Sequence, residues 1–260
     1  MQVIYGINPL LEIFLACPTM LEKIVVAEGR GGEALQKIMK LASEFAIPVE
    51  FKGREGVEKL APRRVHQGIV GLCREYAYAT VDDVLANRHK KSRYDLVIIL
   101  DSINDPQNLG AIIRTAHCCG ANGVIIPGNR AASVTASVVK ASAGAVYRIP
   151  TAMTINLVRT IEYLKEKGFW IYGADAGSDA TFYTPDYKGH VGLVLGNEGL
   201  GIRPLIRKKC DFLISIPLRG EVASLNVSTA AGVILYEILR KLGKDLNYAD
   251  IHMESGHEKG

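Results

Sequence analysis

The 260-residue chain lacks most of the features that assign a protein quickly to a class. Its five cysteines, Cys17, Cys73, Cys118, Cys119 and Cys210, are odd in number, scattered, and form no CxxC pair. That argues against a disulfide framework or a zinc site and for free thiols in a reducing cytoplasm. His117 stands beside Cys118 and Cys119, but neighbouring residues of a helix point to different faces, so the triplet does not converge on a metal ion. The opening MQVIYGINPLLEIFLACP has neither a basic start nor a cleavage pattern, and its apolar run is too short to span a bilayer. Membrane insertion and export are therefore not expected. No GxGxxG opens a strand–helix turn and no GK[ST] follows a glycine loop, which removes the common dinucleotide and P-loop readings. There is no internal repeat. A net charge of +4 permits an anionic partner without demanding one.

What is present is an ordinary soluble composition, 48% hydrophobic and 22% charged, in a chain long enough for one large domain or two small ones. Asn8-Pro9 reads as the opening of a helix that Pro18 stops. Strands are expected at 23–27, 48–51 and 69–73, with helices at 33–45 and 56–60 between them, enough for a small α/β domain. The pattern loosens from 75 to 94, a linker that ends in the basic run Arg88, His89, Lys90, Lys91 and Arg93. From Asp95 the alternation becomes regular. Strands at 96–100, 123–126, 146–149, 169–172, 191–195 and 212–216 alternate with helices at 109–119, 133–141 and 155–167, and a long helix covers 226–242. Repeated strand–helix alternation argues for a parallel sheet covered on both faces. The sequence thus divides into 1–74, the linker 75–94, a second domain 95–243 and a polar tail 244–260.

Two late strands end in loops of small and polar residues, Gly196–Gly201 and Pro217–Asn226. In an open parallel sheet ligands bind beyond the carboxyl ends of strands, and glycine lets bare backbone approach a ligand. A third polar stretch, Asn104–Gly110, leads into a helix that carries Asn108 and, six residues on, Arg114. Singly, Asn108 and Asn226 read as helix caps, Ser224 as a turn residue, Glu198 as an exposed acid and Arg114 as a surface charge. Together, in this order, they read as a site.

The segments NDPQNLGAIIRTA, LGNEGLGI and IPLRGEVASLNVSTA resemble the three motifs of the TrmH-like (SpoU) branch of the SPOUT RNA methyltransferases. YGINPLLE and VHQGIVG resemble the amino-terminal substrate-binding domain of ribosomal members, with the bacterial 23S rRNA guanosine 2′-O-methyltransferases as the nearest kind. One departure is Leu218, where many relatives carry methionine; the change preserves bulk. The resemblance implies a small amino-terminal α/β domain of the ribosomal-protein-L30e-like type, and a parallel-sheet α/β domain whose tail threads a trefoil knot. It implies S-adenosylmethionine as cofactor, 23S rRNA as partner, a homodimer with shared active sites, and no metal. It places Asn108, Arg114, Glu198, Ser224 and Asn226 in the catalytic site and Gly196, Ile216, Leu218 and Leu225 against the cofactor. Arginine stays protonated and is a poor base, so Arg114 is expected to act by holding an RNA phosphate and favouring the developing alkoxide. In the amino-terminal domain Arg63, Arg64 and His66 are candidates for RNA contact, the two arginines reading equally well as surface charges and His66-Gln67-Gly68 as a structural turn. A tRNA target, or an RNA-binding protein without activity on the same fold, are the alternatives.

Overall fold

The computed structural model describes residues 2–16, 18–62, 66–88, 94–129, 131–221 and 224–242. Cys17, Arg63, Arg64, most of the basic run before Tyr94 and the tail after Leu242 lie outside the described residues.

The chain builds two sheets. The first has four strands, β1 (Gln2–Tyr5), β2 (Leu21–Ala27), β3 (Val49–Lys52) and β4 (Ile69–Cys73), in the order β1-β4-β2-β3. β2 and β3 are parallel, whereas β4 runs antiparallel to both β1 and β2. Helices α1 (Ile7–Ala16), α2 (Glu33–Glu44) and α3 (Arg54–Leu60) cover it. Leu35, Ile38 and Ala42 form the buried stripe of α2, the spacing expected of one face of a helix. The turn His66-Gln67-Gly68 enters β4 as expected. His66 is buried, its Nε2 2.8 Å from Glu58 and its Nδ1 accepting from the Gly68 N–H at 3.0 Å. These partners make it a structural residue.

Two features of this region differ from the sequence reading. β1 precedes the first helix and was not foreseen; four residues paired along one edge give too short an alternation to read. Asn8 is not a cap, because α1 begins at Ile7 after Gly6, whose φ of 94° turns the chain out of β1.

The stretch read as a linker is partly built into the second domain. α4 (Val81–Ala86) opens on a capping box in which Thr80 Oγ1 accepts from the Asp83 N–H and Asp83 accepts from the Thr80 N–H. Its Val84 is fully buried against the far face of the second sheet.

That sheet is wholly parallel. β5 (Leu96–Asp101), β6 (Gly123–Pro127), β7 (Thr151–Thr154), β8 (Phe169–Ala174), β9 (His190–Gly196) and β10 (Phe212–Ile214) stand in the order β10-β8-β9-β5-β6-β7. β5 and β6 are buried along their whole length, as strands covered on both sides must be. One face carries α5 (Pro106–Cys118), α6 (Ala136–Ala141) and α9 (Val227–Leu242) over Ile98, Leu100 and Leu193. The other carries α4, α7 (Leu157–Glu166) and α8 (Pro204–Arg207) over Val97, Ile99 and Val194. At the α5–α6 contact a Cβ on Gly110 would come within 2.5 Å of Ala141 Cβ, so only glycine permits this approach. α1 packs on α6, which joins the cores of the two domains.

A strand expected at 146–149 is instead a 3₁₀ turn, Ala145–Tyr147, and β7 begins at Thr151. Val146, within the turn, and Ile149, two residues beyond it, are both buried. Gly144, at φ 79°, starts that turn.

Candidate active site

The site lies at the carboxyl ends of β5, β8 and β9. β5 and β9 run side by side in register from Leu96/Val191 to Asp101/Gly196, so the loops leaving them must meet. The loop after β9 closes on itself: Asn197 N–H donates to Gly201 O at 3.1 Å and Gly201 N–H to Asn197 O at 2.8 Å. Asn197 Oδ1 also accepts from the Gly199 and Leu200 N–H groups, and its Nδ2 reaches Ser102 O at 3.1 Å. Asp101, fully buried, accepts from Arg203 N–H at 2.8 Å and Arg203 Nε at 2.6 Å. The loop is therefore pinned to the end of β5 at both of its limbs.

This rigid loop presents Glu198 to two other elements. Asn108 Nδ2, in the first turn of α5, donates to Glu198 Oε1 at 2.6 Å. Asn226 Nδ2 donates both to Glu198 Oε1 at 2.7 Å and to Asn108 Oδ1 at 3.0 Å. Glu198 Oε1 thus collects two amide donors, with the Val227 N–H more distant at 3.4 Å. Carboxylate oxygens are acceptors only, so the closed ring fixes both amide orientations. Glu198 Oε2 accepts no hydrogen bond among the described residues and is what the triad can offer a ligand.

The cap readings are resolved by the same bonds. Asp105, not Asn108, caps α5, its Oδ1 accepting from the Gln107 N–H at 3.0 Å. Asn226 does cap α9, its Oδ1 accepting from the Ser228 N–H at 2.9 Å, while its Nδ2 serves the triad.

Beside the triad a cavity with about 670 Å³ of atom-free space, partly open to solvent, lies between β8, β9, β10 and α9. Gly196, Ile216, Leu218 and Leu225 line it, as do Glu198 and Ser224. Asn108, Asn226 and Arg114 do not. Arg114 is exposed on α5 and makes no hydrogen bond or ion pair among the described residues. Six residues separate it from buried Asn108. At 3.6 residues per turn that is about 120° around the helix rather than one shared face. Within one chain the guanidinium makes no bond to the triad.

Sequence reasoning missed Ala174, Asp175 and Ala176, which line the cavity beyond β8. Burial opposes ionisation of Asp175, but the Arg207 guanidinium and the Gly177 N–H outweigh it and hold the carboxyl below its ordinary range. Strand order carried the missing signal: whatever leaves the strand beside β9 borders the same crevice. Asp175 and Glu198 are the ionisable side chains of the lining, and both are acidic. Among the described residues no main-chain hydrogen bond uses Ile216, Leu218 or Leu225, all of which line the cavity.

Burial pushes the thiols of Cys73 to about 11 and of Cys119 and Cys210 to about 12, so they stay protonated and unreactive. Among the described residues no group of His, Cys, Asp or Glu is placed to hold a metal ion, and no helix is long and apolar enough to cross a membrane.

A parallel α/β sheet with a cavity and a polar triad at its carboxyl ends is the build of an enzyme with a bound small-molecule ligand. Comparison with known proteins gives the family. Residues 95–236 match the SpoU rRNA Methylase family, and residues 3–79 match the family described as RNA 2′-O ribose methyltransferase substrate binding. A Bacillus subtilis protein assigned to the TrmH family of tRNA/rRNA methyltransferases is 39% identical over 238 residues, 92% of this chain and 95% of that one. The crystal structure of the SpoU methyltransferase AviRb from Streptomyces viridochromogenes with AdoMet superposes with a TM-score of 0.64 at 24% identity. It covers 92% of this chain and 89% of the other. The TrmH/SpoU tRNA modifying enzyme of A. aeolicus is 31% identical over 63% of this chain and 81% of its own, with a TM-score of 0.54. The chain belongs to the TrmH/SpoU family of RNA methyltransferases.

Proposed function

We propose that the chain moves a methyl group from S-adenosylmethionine to a ribose 2′-hydroxyl of RNA, with a guanosine of 23S rRNA as target, as a homodimer in the cytoplasm. The observation that carries this is an apolar cavity whose ionisable lining is acidic, set against the Asn108–Glu198–Asn226 triad. Such a lining suits a ligand that joins a flat heteroaromatic ring to a cationic sulfonium. Unused backbone groups at Ile216, Leu218 and Leu225 would bond the ring's edges. Gly196 brings bare backbone close, and Asp175 and Glu198 would face positive charge.

The bound cofactor supplies an activated methyl carbon, so the protein's work is alignment and management of one proton. The triad holds Glu198 in place, and its free Oε2 orients the sugar. Ser224, exposed at the cavity wall, is on the loop between β10 and α9 that also carries Asn226. Arg114 serves the site of a second copy, holding a phosphate and favouring charge on the attacking oxygen. In support, Arg114 faces outward on α5, and the neighbouring α9 exposes Val233 and Tyr236. The carboxyl-terminal segment forms the trefoil knot. β10 stands at the outer edge of the sheet, yet α9 packs on α5 at its middle. Between them Ser215 pairs with Ala180 and Phe182, and Asn226 bonds Glu198. These bonds from the last segment to two earlier loops, around 180–182 and at Glu198, support that reading.

The amino-terminal domain selects the RNA, as its family match suggests. Ribose methylation is to be mapped across rRNA and tRNA from a strain lacking this chain, with and without complementation. One 23S rRNA guanosine should lose its methyl group and regain it. Loss at a tRNA position would move the substrate, and no loss anywhere would favour an RNA-binding protein without activity.

A further inference from the structure

The loop 197–203 has two sides. Asn197, Glu198 and Gly201 border the cofactor cavity, whereas Arg203 borders a second cleft on the opposite face of the sheet, at the carboxyl ends of β6 and β7. This cleft is lined by Pro127, Asn129, residues 155–158 and residues 203–206, with about 1490 Å³ of atom-free space partly open to solvent. Its walls carry two aliphatic side chains that the fold leaves in water, Ile155 at 98% exposure and Leu205 at 69%. Leu200, 90% exposed, stands on the loop that separates the two spaces. A bare isoleucine on a strand end costs solvation and stabilises nothing within this chain.

The polar groups of the cleft fit one kind of occupant. Asn129 is exposed. Asn156 uses its Oδ1 to cap α7, accepting from Val158 and Arg159 N–H at 3.0 and 3.2 Å, which leaves its Nδ2 unused among the described residues. Arg203 spends its Nε on Asp101, and its terminal nitrogens make no hydrogen bond among the described residues. No carboxylate lines the cleft. Aliphatic walls, amides and a guanidinium without acids suit an unstacked base, since displaced bases pack between apolar side chains or on guanidinium planes and are bonded through their edges. An aromatic groove near Tyr76 and Tyr147 is less suited, because Glu75 and Asp83 line it. The segment Arg203–Lys209, which borders this cleft through residues 203–206, is basic in sequence, with Arg203, Arg207 and Lys209 paired to Asp101, Asp175 and Glu162.

We propose that this cleft is a nucleobase subsite: it takes the unpaired base of a nucleotide flanking the methylated one, packed against Ile155 and Leu205 and contacted by Asn129 and Arg203. The inference rests on the RNA-methylating reading above. An RNA strand whose ribose meets Glu198 passes over Leu200 and enters the cleft on the other side of the same loop. The subsite thereby couples sequence context to the position of the reacting sugar.

The test uses the full-length chain with Ile155→Ala and Leu205→Ala together, and the pair Ile155→Val with Leu205→Met as the conservative control. The probe is rRNA extracted from a strain lacking this chain, with labelled S-adenosylmethionine. Loss of one packed base should raise the KM for RNA about tenfold while kcat stays within about twofold. Cofactor affinity by titration calorimetry should be unchanged, and the conservative pair should behave as the unsubstituted chain. An unchanged KM overturns the proposal, and so does an unchanged KM with an altered mass in solution, which would make the cleft a protein contact. If the unsubstituted chain labels no RNA, the underlying reading fails, and that is seen without any variant.

Discussion

Arg114→Lys should lower kcat by about 100-fold or more, the scale on which loss of one group that stabilises developing charge is felt. Lysine keeps the charge but not the planar fork that grips a phosphate in two bonds. Because the side chain is exposed and has no partner among the described residues, folding and S-adenosylmethionine affinity should be unaffected. The defect should appear in turnover at saturating RNA and cofactor, and near-normal turnover there would remove Arg114 from the reaction. The variant also tests which copy the guanidinium serves. Glu198→Ala removes the centre of the triad but leaves the loop's backbone bonds between Asn197 and Gly201. Neither variant alone should turn over well. If Arg114 works across a two-fold interface, mixed dimers carry one intact site, and random exchange should restore roughly a quarter of wild-type activity. If it works within its own chain, mixing restores none.

Gly196→Ala should abolish cofactor binding. A Cβ there would lie 2.3 Å from the carbonyl carbon of Gly201 and 2.4 Å from Ile202 N. Both are backbone atoms, so no side-chain rotation can relieve the overlap, and overpacking of this kind costs about 1–3 kcal/mol or more. The loop must open, which moves Glu198 from Asn108 and spreads the cavity wall. Calorimetry should detect no S-adenosylmethionine binding, and thermal unfolding should shift downward. Gly199→Ala is the control, since its added Cβ meets nothing closer than Asn197 Oδ1 at 3.7 Å. Wild-type affinity in Gly196→Ala would mean that the cavity beside this loop is not the cofactor site.

Much of the second domain could be read from the chain because buried parallel strands write themselves as unbroken apolar runs: β5 and β9 fall within a residue of their expected limits. β4 was located residue for residue between a turn and a basic residue. The failures have local causes. Residues 146–149 resemble a strand in composition, yet the chain there closes a 3₁₀ turn at Ala145–Tyr147. α4 is six residues long, too short to display a period, and is fixed by its capping box and by Val84.

For the site, the polar residues were visible as types, and their order pointed to a family. What could not be read was their division of labour. That Asn226 caps a helix with one amide atom while binding Glu198 with the other depends on the meeting of three loops distant in sequence. Asp175 was invisible because the neighbour of β9 is decided by strand order, which no local pattern encodes. Arg114, chosen from its motif, is exposed and makes no bond to the triad of its own chain.

The most direct measurement of the central claim is the position of the transferred label. The full-length chain is incubated with methyl-labelled S-adenosylmethionine and rRNA from a strain lacking it, and the RNA is hydrolysed with alkali. A methyl group on the 2′-oxygen blocks attack on the adjoining phosphodiester, so the label should be recovered in an alkali-resistant dinucleotide with guanosine at its 5′ side. Label released in mononucleotides would place the methyl group on a base, and the assignment of Glu198, Arg114 and their neighbours to a ribose oxygen would be wrong.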